Sequence, residues 1–173
     1  MTRMPPPHAG SEAEPDTPAD ASLLLGWEEW VALPDLGLPA LKAKIDTGAK
    51  TSALHAYTIE EVQIGAVAMV RFRIHPARRR RDIDIVCTAP VKDVREIASS
   101  NGEKERRTVI ETQIEIGGRR WPIEITLTNR SSMNSRMLLG RQALPSGILV
   151  DPTRAFLLPR LGYSAYGKKK RKG

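Results

Sequence analysis

The chain has a single cysteine, Cys87, among its 173 residues. One thiol excludes an internal disulfide and fits a reducing compartment. Flanked by Val86 and Thr88 in an apolar stretch, Cys87 reads as a packing residue. Histidine is almost as scarce: His8, His55 and His75. Neither His-Glu-x-x-His nor Cys-x-x-Cys occurs, so no zinc site is legible and none is expected. The phosphate-cradling Gly-x-x-x-x-Gly-Lys-Ser/Thr is missing too; Gly37, Gly48 and Gly65 stand alone, and no cofactor is expected. No apolar run approaches the roughly 18 residues of a membrane-spanning helix. Behind Arg3 there is none of the apolar stretch a secretory signal needs, so the expected compartment is the cytoplasm.

Acidic charge is in modest deficit, with a net charge of +7. The excess is local. Lys168, Lys169, Lys170, Arg171 and Lys172 supply most of it from the last six residues. This run can attract RNA, a ribosome or another acidic surface electrostatically, or simply keep the chain soluble. Residues 1–22 are rich in Pro, Ala, Asp and Glu without periodicity, and 161–173 have no apolar partner; both are expected to be disordered. That leaves one domain over residues 23–160, long enough for a real core.

Within it, short apolar runs alternate with turn residues. Trp27 to Leu33 suits a first strand, with a turn at Pro34-Asp35-Leu36-Gly37, and Leu41 to Ile45 a second. Gly65-Ala66 and Gly117-Gly118 suit hairpin turns, and Ser99-Ser100-Asn101-Gly102 is the strongest turn signal. Ile83, Ile85 and Cys87 alternate with Asp82, Asp84 and Val86 as a half-buried strand, just after four successive arginines, Arg78, Arg79, Arg80 and Arg81. Met137 to Leu139 reads as a buried strand, Arg141 to Leu144 as one helical turn, and Ile148 to Val150 and Phe156 to Leu158 as closing strands. The spacing predicts an all-β fold, a closed barrel or sandwich with one short helix near its C-terminal end.

The stretch Ile45-Asp46-Thr47-Gly48-Ala49-Lys50-Thr51-Ser52 carries the chemistry. A strand delivers a carboxylate to a Thr-Gly turn, where Gly48 lets backbone approach and amides and the Thr47 hydroxyl can orient the acid. Downstream stands Met137-Leu138-Leu139-Gly140-Arg141. Together these motifs resemble the retropepsin-like aspartic peptidases. Residues 44–56, 105–107, 121–130 and 137–151 resemble more closely a bacterial family named ATP-dependent zinc proteases. That family is found beside ATP-grasp ligases that add glutamate to a ribosomal protein.

The resemblance implies a retropepsin-like barrel and a catalytic Asp46, Thr47 and Gly48. Peptidases of this kind use two carboxylates that share one proton, whereas this chain has one Asp-Thr-Gly. The second must come from another copy in a twofold dimer. The resemblance further implies that Thr47 cross-links the paired turns, that Leu138, Leu139 and Gly140 support the turn, and that Ala49, Lys50, Ser52, Arg130 and Arg141 border the substrate. Ser100, Asn101 and Gly102 would form the tip of a flap. Lys50 stands where viral relatives carry an acid that pairs with the later arginine. Two cations in place of an ion pair point to an acidic or glutamate-rich peptide as substrate. The rival reading is a non-catalytic module that regulates an ATP-grasp glutamate ligase.

Overall fold

In the computed structural model, which describes residues 22–98, 101–130 and 134–167, the chain is built from twelve short to medium strands. In order they are β1 (Leu23–Gly26), β2 (Glu28–Leu33), β3 (Leu38–Asp46), β4 (Ser52–His55), β5 (Thr58–Ile64) and β6 (Val67–Ile74). There follow β7 (Ile85–Pro90), β8 (Asp93–Ala98), β9 (Lys104–Ile116), β10 (Arg119–Thr128), β11 (Met137–Gly140) and β12 (Ile148–Asp151).

Six of these close a mixed barrel in the order β3, β2, β9, β10, β4, β11. Pairing is antiparallel except between β3 and β11 and between β10 and β4. Closure removes the open strand edges that would otherwise template aggregation. Leu41, Leu54, Ile110, Ile125, Leu127 and Leu139 fill the interior with at most 2% exposure. Outside the barrel, β8 pairs with β9 as a hairpin arm, β5, β6 and β7 form a three-stranded sheet, and β1 pairs in parallel with β12.

The glycine turns follow the expected chemistry. Gly65 (φ 60°) closes the β5–β6 hairpin, and Gly117 and Gly118 (φ 58° and 79°) close β9–β10. Two successive positive φ values match the right-handed twist of paired strands, and only glycine adopts them at no steric cost.

Four expectations need correction. The short helix after Gly140 is a 3-10 turn, Arg141–Ala143, and no α-helix forms among the described residues. Pro145, which lacks an N–H, stops the turn from growing. The strand expected from Ile83 starts only at Ile85, because turn bonds from Arg80 N–H to the Ala77 carbonyl and from Ile83 N–H to the Arg80 carbonyl hold the basic loop. Phe156 to Leu158 is not a strand. Phe156 adopts φ 54°, and the Glu29 carboxylate takes the N–H groups of Leu157 and Leu158 at 3.0 and 3.1 Å. Finally, residues 161–167 are not a free tail. Tyr163 packs edge-on against Trp30 at 5.0 Å, and the Tyr166 hydroxyl donates to the Ala40 carbonyl. The lysine run beyond lies outside the described residues.

Glu29 is fully buried, and its carboxylate also accepts the Gly26 N–H at 2.7 Å. One side chain thus ties the β1–β2 junction to the chain's C-terminal stretch. Glu29→Ala leaves three main-chain donors without their acceptor. A loss of about 3 kcal/mol or more is expected, to be read as a lower midpoint in urea unfolding. An unchanged midpoint would show that the staple carries no stability.

Candidate active site

Asp46 is the last residue of β3, and that strand is paired on both sides. Lys44 faces Glu28 on β2, while Asp46 itself faces Gly140 on β11. The carboxylate is therefore fixed by two neighbours as it leaves the barrel, and it remains partly exposed. Gly48 N–H donates to Asp46 Oδ1 at 3.0 Å, and Ala49 N–H donates to the Asp46 carbonyl at 3.2 Å. Thr47 and Gly48 form the exposed tip.

The turn is clamped from the segment that follows β11. Arg141 N–H donates to the Ala49 carbonyl at 2.8 Å, Gln142 N–H to the Lys50 carbonyl at 3.3 Å, and the Arg141 guanidinium to the Gly48 carbonyl at 3.2 Å. Gly140 is the reason these backbones can meet. A Cβ at this position would lie 2.6 Å from the Thr51 carbonyl oxygen and 3.0 Å from that of Ala49. Leu139 is fully buried opposite Ile45, and Leu138 is half-buried between Lys44 and Ala53. Gly140 thus packs directly on the Ala49 and Thr51 backbone, with Leu138 and Leu139 preceding it on β11.

Ser52 borders the groove beside the turn and is only 3% exposed; its hydroxyl accepts the Gly140 N–H at 3.0 Å, so it also braces the turn from below. The Ser52 carbonyl in turn accepts the Thr126 hydroxyl at 2.9 Å. Thr126 is within reach of the buried Arg107 guanidinium, which is ion-paired with Glu105 at 2.9 Å. A polar chain therefore runs from β9 through β10 to the Asp-Thr-Gly turn. A buried arginine is tolerated only with such partners.

A groove of about 580 Å³ opens beside the turn, bordered by Thr51, Gln142, Lys92, Arg95, Glu111 and Glu124. The β8–β9 hairpin arm rises from its wall. At the arm's tip, Asn101 Oδ1 accepts the Glu103 N–H and Gly102 has φ 83°. Asn101 and Gly102 are exposed there, and Ser100 lies outside the described residues.

Sequence reasoning missed the groove's charges. Glu111 and Glu124 stand directly opposite each other on β9 and β10. Lys92 lies between them, within ion-pair distance of both, and Arg95 bridges Glu124 and Asp93, each at 2.8 Å. Hydrogen bonds from Arg95 and Lys92 hold the Glu124 carboxyl below its usual range. The groove wall is thus charge-balanced. Only knowing that β9 and β10 pair could have revealed this, since the four groups span 33 positions of sequence. Lys50 and Arg141 are both exposed, on backbone segments joined by the Arg141–Ala49 and Gln142–Lys50 bonds, and neither forms an ion pair among the described residues. Arg130 stands further back, half-buried, with its N–H on His55 Nδ1 at 2.9 Å.

His55 and His75 are near enough to influence each other, and His75 stacks on Tyr57 at 4.5 Å. Among the described residues no three His, Cys, Asp or Glu side chains gather to hold a metal ion.

An all-β closed barrel with an Asp-Thr-Gly turn clamped by Gly-Arg defines the retropepsin-like aspartic peptidase class. Within it, the family described as RimB-like, retropepsin-like aspartic endopeptidase RimB, matches residues 24–160, and the chain belongs to that family. A crystal structure of a protein of unknown function (DUF785) from Legionella pneumophila superposes with a TM-score of 0.65 and 30% identity, over 78% of this chain and 96% of that one. Curated relatives include a "Probable alpha-L-glutamate ligase" of Shewanella pealeana, 46% identical over 144 residues, and one of Desulfotalea psychrophila, 41% identical over 148. Those matches cover 83% and 86% of this chain but only 31% and 32% of the ligases, so the chain spans about a third of their length.

His55 gives the site a pH dependence. Burial first, then the Arg136 charge, pushes its pKa below 6.5, against a smaller upward pull from a Thr128 backbone hydrogen bond. Its Nδ1 must stay unprotonated to accept the Arg130 N–H. The unfolded state therefore binds the proton more readily. Stability is fully present above 6.5 and is lost as pH falls from there through the lower folded value. Melting temperature should fall between about pH 7 and 5. The fall should be shallower in His55→Asn, whose amide oxygen can still accept. Identical slopes would remove His55 as a cause.

Proposed function

We propose that the chain is an aspartic-type endopeptidase that works as a twofold homodimer. Paired Asp46 carboxylates hold one proton and a water between them. One carboxylate takes a proton as the water attacks the scissile carbonyl, and the other gives its proton to the carbonyl oxygen. The observation that carries this reading is the placement of Asp46: a partly exposed carboxylate at a strand end, oriented by the Gly48 N–H and braced from below by Gly140. A turn-forming aspartate needs no such support.

A second copy is favoured by exposed apolar side chains on and next to the β1–β12 pair. Leu24, Trp27 and Leu149 are 40%, 43% and 57% exposed, and the Trp27 carbonyl accepts the N–H of Ile45, next to Asp46. The α-L-glutamate ligase relatives support a rival reading, in which the domain binds and regulates such a ligase without cleaving anything. A cytoplasmic setting and ligase association fit either reading.

One substitution separates the two. Asp46→Asn is nearly isosteric and should lower hydrolysis roughly 10²–10⁴-fold while leaving the fold and any ligase binding intact. Cleavage assays on folded variant protein decide the matter. Full turnover by the variant would take Asp46 out of the mechanism.

For substrate, we infer a preference for acidic peptides that rests on the Lys50 and Arg141 rim rather than on the groove wall, whose charges cancel. Lys50→Asp can form an ion pair with Arg141, so it should keep or raise the melting temperature. It should also weaken binding of glutamate-rich peptides, and added salt should weaken wild-type binding. Unchanged affinity for acidic peptides would sink this preference and leave the Asp46 pair standing.

A further inference from the structure

The arginine run 78–81 plays no part in the peptidase site, yet the fold gathers it with other cations. The loop between β6 and β7 is anchored by buried Pro76 and Ala77 and by its two turn hydrogen bonds. Arg78 donates to the Asn134 amide oxygen, and Arg80 is ion-paired with Asp82 at 2.9 Å. Facing the loop is Lys42 on β3, with its ammonium 5.3 Å from the Trp30 ring and 5.5 Å from the Phe156 ring. Arg136 is buried at 8% exposure just before β11, one step ahead of the Met137–Ala43 pair and so level with Lys42. Tyr163 completes the wall from the C-terminal 3-10 turn. Together they enclose a cavity of about 210 Å³. A neighbouring depression carries Arg80 and Arg160.

Among the described residues two acids adjoin this ring of cations, and both are engaged: Asp82 holds Arg80, and Glu28 accepts the Ser135 hydroxyl. Burial, together with the charges of Arg78 and Arg81, pushes Arg136 below the usual arginine range. Cations brought together around a partly enclosed space repel one another, and an anion in that space reverses the sign of the interaction.

We propose that the cavity between the 76–82 loop, Arg136 and Tyr163 binds a phosphate group. A carboxylate is planar, carries one charge and is satisfied by a single guanidinium. Here guanidinium forks from separate segments, an ammonium, an amide and a phenol surround one small volume, which suits a tetrahedral dianion contacted from several sides. The volume admits a phosphate and a few attached atoms. The group can come from a phosphorylated small molecule or from a nucleic-acid backbone.

Titration calorimetry on the full chain tests this, using pyrophosphate, a short single-stranded oligonucleotide without terminal phosphates, and triglutamate at matched ionic strength. Pyrophosphate should bind at one site per chain and more tightly than triglutamate. Arg78→Gln, on an exposed loop, and Lys42→Gln should each weaken it by about tenfold. Arg136→Lys, which keeps the charge and loses the fork, should weaken it too. Asp46→Asn should bind like wild type, because the pocket is independent of the peptidase reading. Tighter binding of the oligonucleotide than of pyrophosphate assigns the group to a nucleic-acid backbone, and the reverse assigns it to a small molecule. The proposal is overturned by absent pyrophosphate binding, by triglutamate binding as tightly, or by undiminished affinity in Arg78→Gln and Lys42→Gln.

Discussion

Gly140 lies so near the backbone of the active turn that a methyl group there would stand 2.6 Å from the Thr51 carbonyl oxygen. The site depends on that approach. It lets the Arg141 and Gln142 N–H groups reach the Ala49 and Lys50 carbonyls, and it lets the Ser52 hydroxyl hold the Gly140 N–H. Without these bonds the turn would be an exposed loop, free to present its carboxylate in many orientations. The carboxylate pair proposed above would need geometry held to fractions of an ångström, and backbone hydrogen bonds fix a turn with less entropy to lose than long side chains would need.

Charge is arranged on the same principle of local closure. Opposed Glu111 and Glu124 would repel across the β9–β10 ladder, and Lys92 between them turns a destabilising pair into a bridged one. The groove wall is neutral in sum, while Lys42, Arg78, Arg80 and Arg136 gather around a second, separate cavity.

Much of this was legible before any coordinates. Asp46 at a strand end and Gly140 beneath it follow from two short motifs, because backbone turns and close approaches restrict residue type locally. The hairpins at Gly65 and Gly117-Gly118 follow for the same reason. What stayed hidden is non-local. Glu29 looks like any acidic residue at the start of a strand, and only the return of residues 157 and 158 reveals it as a buried staple. Ser52 reads as a groove residue alone, and only β11 placed against it shows that its hydroxyl also holds the Gly140 N–H. The Lys92, Glu111 and Glu124 bridge exists only once three strands are aligned, and Tyr163 and Tyr166 look like tail residues until Trp30 and Ala40 are seen beside them.

The order of strands has a consequence for synthesis. β11 pairs with both β3 and β4, so Asp46 gains its brace only from residues more than ninety positions later in the chain. A nascent chain leaving the ribosome carries its Asp-Thr-Gly early, but as an unbraced loop beside an open strand edge. Long-range pairing of this kind forms late and cooperatively. The chain can therefore not assemble the turn's support until nearly all of the barrel has been made. Partly synthesised or truncated copies would carry the Asp-Thr-Gly sequence without the geometry that β11 gives it.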